Sequence, residues 1–248
     1  MSFWRFWSRK TVLPEAVSAK LPPQEALPFT DADREFVRSA LDRFEANGLQ
    51  IWSELNRDLI VARALVDIDL WKPNDGWPRD ELQSLFMVLA NGTDSLPGRY
   101  PEVEDECPAL ATMDDEAAEE MLQRHSETIF VNASSICIVS EGGSLNNTTY
   151  ALAALGNLEV SEVEQHVLKN GLTRVSFQVE GLGERHFDVE SAKRPDVTPV
   201  FVEMNRIAEI KKLGRYIPAW ERNSDSETFI FADEATLSKI TSLLKLAV

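Results

Sequence analysis

The sequence predicts an α+β fold: a helical, acidic N-terminal half followed by a helix-hairpin-helix-hairpin-helix C-terminal part with antiparallel sheet. Three observations predict it. Through the first half, apolar residues recur at helical spacing behind capping residues. Late in the chain, two stretches of strand-forming residues flank short turns, as hairpins do. The segments between them carry helix start and stop signals, without the strand-helix-strand alternation of a doubly wound sheet.

Residues 1–28 combine a basic, aromatic start with a linker containing Pro14, Pro22, Pro23 and Pro28 and no apolar periodicity. The acidic, mainly helical region is placed at 29–158 and the α+β region at 159–248, the two compatible with a single domain. Thr30 and Asp33 form a capping box ahead of Phe36, Val37, Ala40, Leu41 and Phe44, and Gly48 closes that helix. Leu49, Trp52, Leu55 and Leu59 suit a second helix over 49–59. From Ile60 to Trp71 the pattern is ambiguous, since 65–70 alternates like a strand. Pro73 to Gly76 is a turn, and Asp80 to Ala90 a helix stopped by Asn91-Gly92. Asp114 to His125 is expected to be a helix with Ala117, Met121 and Leu122 inward. Ile129 to Val139 reads as a buried strand, Glu141 to Ser144 as a turn, and 150–158 fits either strand or helix.

In the last third, Ser161 and Glu164 make a second capping box, with Val163, Val167 and Leu168 on a helix ended by Gly171. Val175, Phe177 and Val179 alternate, Gly181 to Gly183 turns, and His186 to Val189 returns. Pro199 and Gly214 bound a helix over 200–213. A second hairpin joins 216–220 to 228–231, and 233–246 closes the chain as a helix, giving two possible ββα units.

The net charge is −16, from 41 acids against 25 bases. It is unevenly spread. Residues 31–130 carry 23 acids and nine bases, whereas 1–30 carry two acids and four bases and 131–248 carry 16 acids and twelve bases. Between Glu102 and Glu127 there are ten acids and one base, Arg124. Such a field repels nucleic-acid phosphates and anionic lipid and attracts a cationic partner, while also serving solubility. Cys107 and Cys137 lack metal-ligand spacing and cannot frame a disulfide scaffold, which points to unbridged thiols in a reducing compartment. The four Asn-x-Ser/Thr sequons, at Asn91, Asn132, Asn146 and Asn147, carry little weight without a secretion signal. No apolar run approaches the ~20 residues of a spanning helix. In 1–10, Phe3, Trp4, Phe6 and Trp7 oppose Arg5 and Arg9 on a helical wheel, a pattern suited to an anionic membrane interface or to docking on protein.

No phosphate loop, dinucleotide fingerprint, nucleophile elbow or zincin motif is present. Glu162 and His166, four apart on the expected helix, make half a metal site at best. His186 with Asp188 on one strand face has the form of a base and its orienter, or of a surface charge pair. Asp67 and Asp69 on one strand face, with Asn74 and Asp75 following, are the most enzyme-like cluster, a pattern by which acids hold a divalent cation over phosphate. His125 is expected as an imidazolium interacting with the end of its helix.

These features point to a non-catalytic, cytoplasmic, acidic binding protein without cofactor or bound metal. In character it suits an inhibitor of the immunity-protein type that neutralises a basic toxin or enzyme. Its partner-binding residues would be Glu102, Glu104, Asp105, Glu106, Asp114, Asp115, Glu116, Glu119 and Glu120. Two alternatives remain open. One is a metal-dependent phosphate-handling enzyme using Asp67 and Asp69, and the other is a peripheral membrane adaptor or scaffold subunit held through residues 1–10.

Overall fold

A computed structural model of the chain describes residues 29–72, 80–92, 107–139, 144–190, 196–219 and 226–246. Its fold is α+β, with several helices followed by a region of antiparallel strands. The helices are α1 (Asp31–Ala46), α2 (Arg57–Val66), α3 (Ile68–Trp71), α4 (Glu81–Asn91), α5 (Pro108–Ala111), α6 (Asp115–His125), α7 (Leu145–Leu155), α8 (Thr198–Lys211) and α9 (Glu234–Leu244). The strands are β1 (Ala133–Val139), β2 (Val160–Val167), β3 (Leu172–Val179), β4 (Gly183–Glu190), β5 (Arg215–Pro218) and β6 (Ser226–Ala232).

Two three-stranded antiparallel sheets form, in the orders β1-β6-β5 and β2-β3-β4. The first sheet divides the apolar interior. On one side Ile217, Ile230 and Ala232 pack with Phe44, Phe86, Leu89, Phe130 and Ile240 from the N-terminal helices, the strand approach and α9. On the other, Tyr216, Phe229 and Phe231 pack with Leu152, Met204 and Ile207 and with Val175, Phe177 and Phe187 of the second sheet. Successive residues of β6 therefore serve opposite cores, and its Phe229-Ile230-Phe231 run is buried throughout. The rings of Phe44, Phe86 and Phe130 lie 5.7–5.8 Å apart in pairs and join α1 and α4 to the segment entering β1.

Helix starts follow the capping chemistry in the sequence. Thr30 and Asp33 close a reciprocal capping box on α1, and Asp80 does the same with Gln83 on α4. Asp233 caps α9 through the Thr236 amide at 2.9 Å. The open segment at 150–158 is resolved by Ser144, whose side chain accepts from the Asn146 amide and starts α7.

Three expectations are corrected. No helix spans 49–59: Trp52 N–H donates to Ile129 O and Val131 N–H to Gln50 O, and the next helix starts at Asn56, which accepts from the Asp58 and Leu59 amides. The strand-like run at 65–70 is the end of α2 followed by α3. Leu59 through Leu65 are all buried, so α2 has no polar face to reveal its period.

The third correction is the helix expected at 161–168, which is strand β2. Its register with β3 shifts between Ser161 and Glu164, and Glu162 takes a left-handed φ of 53° there. Val160 pairs with core-facing Val179, while after the bulge Gln165 pairs with Val175 and Val167 with Thr173. Val160 packs partly against the core and Val163 is buried there, while Val167 at the strand end is 79% exposed, so the three- and four-residue spacing of these valines imitates a helix without marking one buried face. The C-terminal order is consequently a three-strand meander, α8, a hairpin and α9, and the hairpins β3–β4 and β5–β6 belong to different sheets. Among the described residues no helix is long and apolar enough to cross a membrane.

Candidate functional site

The expected acidic surface centres on α6. Asp114 caps the helix through the Ala117 amide at 2.9 Å, and the acids of the first turn favour the positive end of its dipole. Ala118 is buried against Leu59, Ala62 and Cys107, with Met113 and Met121 partly buried beside them. Ala117, expected inward, is exposed; Ala118 and His125 take the inner face together with Met121. Asp114, Glu116, Glu120 and Glu127 are exposed, and Arg124 pairs with Glu120 one turn before it. Asp115 and Glu119 lie on the helix, but their side chains, like that of Leu122, are outside the described residues. So are Glu102, Glu104, Asp105 and Glu106.

Two buried cationic-type residues mount this helix. Arg63 of α2 is fully buried, and its guanidinium donates to the carbonyls of His125, Glu127 and Val88, each at 2.7 Å. Those of His125 and Val88 belong to the last turns of α6 and α4, where helical carbonyls lack intrahelical donors. Burial pulls the Arg63 pKa down to about 10, against the charge of Asp67, so the group remains a cation at neutral pH. Its Nε finds no acceptor among the described residues.

His125 is not the imidazolium at the helix end that the sequence suggests. It is buried, its Nε2 accepts from the Asn56 amide at 2.8 Å, and its Nδ1 lies 2.7 Å from Met121 O. A backbone N–H can only donate and a carbonyl only accept, so the ring is the neutral Nδ1–H tautomer. Burial, and then the charges of Arg63 and Arg124, hold its pKa below the ordinary value of 6.5.

The other candidates are separated or reassigned. Asp67 is buried between α2 and α3 while Asp69 is exposed on α3, so the two do not share a strand face. Asn74 and Asp75 lie outside the described residues, as do 1–10 and 141–143. Among the described residues no group of three or more His, Cys, Asp or Glu is placed to hold a metal ion. Glu162 and His166 are parted by the β2 bulge, and His166 Nε2 instead lies 3.2 Å from Glu164 Oε2 on an exposed strand. Asp188 does not orient His186: it receives both Nε and Nη2 of Arg174 across the ladder, at 2.8 and 2.9 Å. That pairing lowers the Asp188 pKa. Cys107 is a buried thiol, and the Cys137 side chain is outside the described residues. Two of the sequon asparagines are internal connectors: Asn132 accepts from the Gln50 amide and donates to Gly48 O, and Asn146 donates to Val163 O.

Two features were not legible in the sequence. Reading 161–168 as helix hid that the open face of β2-β3-β4 carries Glu164, His166, Arg174, Ser176, His186 and Asp188 in neighbouring register rows. An open groove of about 750 Å³ also runs between α8, β5 and the start of α9, with Arg206, Lys212 and Arg215 facing Glu209, Asp233 and Glu234 around Val202 and Leu213. Both surfaces mix charges of either sign, whereas on α6 a single arginine, Arg124, stands among the acids.

Comparison with protein-family models, with curated proteins and with solved structures gave no match.

Proposed function

We propose that the chain is a non-catalytic binding protein that offers α6 and the acid-rich run before it, Glu102 to Glu106, to a basic protein partner. In this reading it acts as an inhibitor of the immunity type on a toxin or enzyme in the cytoplasm. One observation carries it: the contrast between two acid-bearing helices. Of the exposed acids of α1, Asp31 is answered locally by Arg34 and both Asp42 and Glu45 by Arg57, leaving Glu35 without an ion pair among the described residues. On α6 only Glu120 has an ion pair among the described residues, and Asp114 and Glu116 stand exposed at the helix start. Uncompensated charge on one face supplies the long-range attraction that speeds encounter, whereas locally paired charge does not.

An oligo-arginine peptide serves as a defined cationic probe. Its footprint on the backbone amides by NMR is expected to centre on 114–120 and to fade as salt rises through ~0.1 M, where the screening length falls to about 10 Å. Equal perturbation of α1 and α6 would remove the basis for singling out α6.

A further inference from the structure

We infer that His125 is a proton-operated latch, whose protonation at Nε2 breaks its bond to Asn56 and frees α6 from the start of α2. This device is independent of what binds the acidic face. The imidazole is packed between two helices with both nitrogens committed, Nδ1–H to Met121 O on its own helix and Nε2 to the Asn56 N–H. Gaining a proton turns Nε2 into a donor facing a donor. The bond is lost, and a charged ring is left buried without an acceptor.

The surroundings offer that charge little relief. From α2 the imidazole is faced by Arg63, whose guanidinium binds the His125 carbonyl, and from its own helix by Arg124. The other titratable groups nearby are Asp58, exposed just after the α2 cap, and Cys107 in the apolar cluster between the helices. Neither appears among the charges that act on the ring. Asn56 is also the N-cap of α2, its side chain holding the Asp58 and Leu59 amides, so displacement at His125 reaches the first turn of α2.

The sign follows from linkage. A base whose folded pKa lies below its unfolded value binds more protons when released, so its contribution is intact above about 6.5 and is lost as pH falls toward the folded pKa. The opening equilibrium of α6 should therefore rise by up to about tenfold per pH unit within that window.

Hydrogen exchange on the full chain at about pH 7 and about pH 5, corrected for intrinsic rates, reads this directly. Protection in 115–127 and at 56–59 should fall at the lower pH while the β6 amides keep theirs. In His125→Gln, whose side-chain oxygen can accept from Asn56 without titrating, the same segments should be insensitive to pH. NMR titration of the wild-type imidazole gives a second readout that needs no variant, and it should place His125 below the ordinary value of 6.5. A His125 that titrates at or above 6.5, a loss of protection shared equally by β6, or an unchanged pH response in the variant would each overturn the latch.

Discussion

Replacing Arg63 with methionine is expected to lower stability by about 3 to 5 kcal/mol, the range for removing one partner from a buried charged network. Methionine fills much of the volume, so the loss comes from hydrogen bonding. The guanidinium is the shared donor to His125 O, Glu127 O and Val88 O, each at 2.7 Å. Each buried carbonyl left unmet costs ~1–3 kcal/mol. The unpaired Nε tempers the total, because that group is itself buried at a cost in the native protein. Arg63→Lys should recover only part of the loss, since one ammonium on a flexible stem cannot reach three carbonyls set around a planar fork. Urea unfolding measures both, as a lower midpoint at unchanged slope. A methionine variant within about 0.5 kcal/mol of wild type would show that the guanidinium does not join α2, α4 and α6.

Gly156→Ala should cost about 2 to 3 kcal/mol, near the upper end of what overpacking a well-filled core exacts. The backbone is not the reason, because Gly156 has φ −92°, which alanine adopts freely. A Cβ there would stand 1.9 Å from Tyr216 Oη and 2.7 Å from its Cζ. The tyrosine has nowhere to go: its ring is fully buried, 4.6 Å from that of Phe231, and its hydroxyl donates to Leu152 O at 2.7 Å. Tyr216→Phe alone should cost ~0.5–1.5 kcal/mol for the lost hydrogen bond, since Leu152 O keeps the Gly156 amide at 3.2 Å. In the double variant the two effects should fall short of their sum by more than ~0.5 kcal/mol, since the phenylalanine removes the nearer clash. Strict additivity in thermal or urea melts would place the strain of the alanine elsewhere.

The elements that the sequence announced are those whose signals act over a few residues. Thr30 with Asp33, Asp80 and Asp114 marked helix starts that the structure keeps, and Pro199 with Gly214 bounded α8. The turn glycines between β3 and β4 marked their hairpin for the same reason. What failed was periodicity wherever tertiary contacts changed the phase. A bulge in β2 gave valines a helical spacing, and complete burial of Leu59 to Leu65 erased the polar face of α2. The overlooked start of α2 was a single residue, Asn56, a capping type in plain view.

The candidate surface divides in the same way. The helix, its cap and its outward carboxylates were readable from composition and local spacing. Its mount was not, because an arginine buried in an apolar helix and a histidine used as a neutral acceptor behave against their residue types. Treating His125 as an inward residue would have completed the spacing Ala118, Met121, His125 and turned the helix to its observed face.

The central claim is that the exposed acids of α6, together with the acid-rich stretch that precedes it in the sequence, meet a basic protein. The most direct measurement is the rate of association with such a partner, compared at low and high salt for the wild type and for chains reversed in charge at Glu102 to Glu106 or at Glu116 and Glu120. Steered association exceeds the unsteered rate by ~10-fold or more and falls steeply with ionic strength. The wild type should therefore bind faster at low salt. Each reversal should slow association more than it speeds dissociation, because buried anchors rather than outlying charges set much of the dissociation rate. An association rate indifferent to both salt and charge reversal would contradict the account and leave the acidity of this chain to solubility alone.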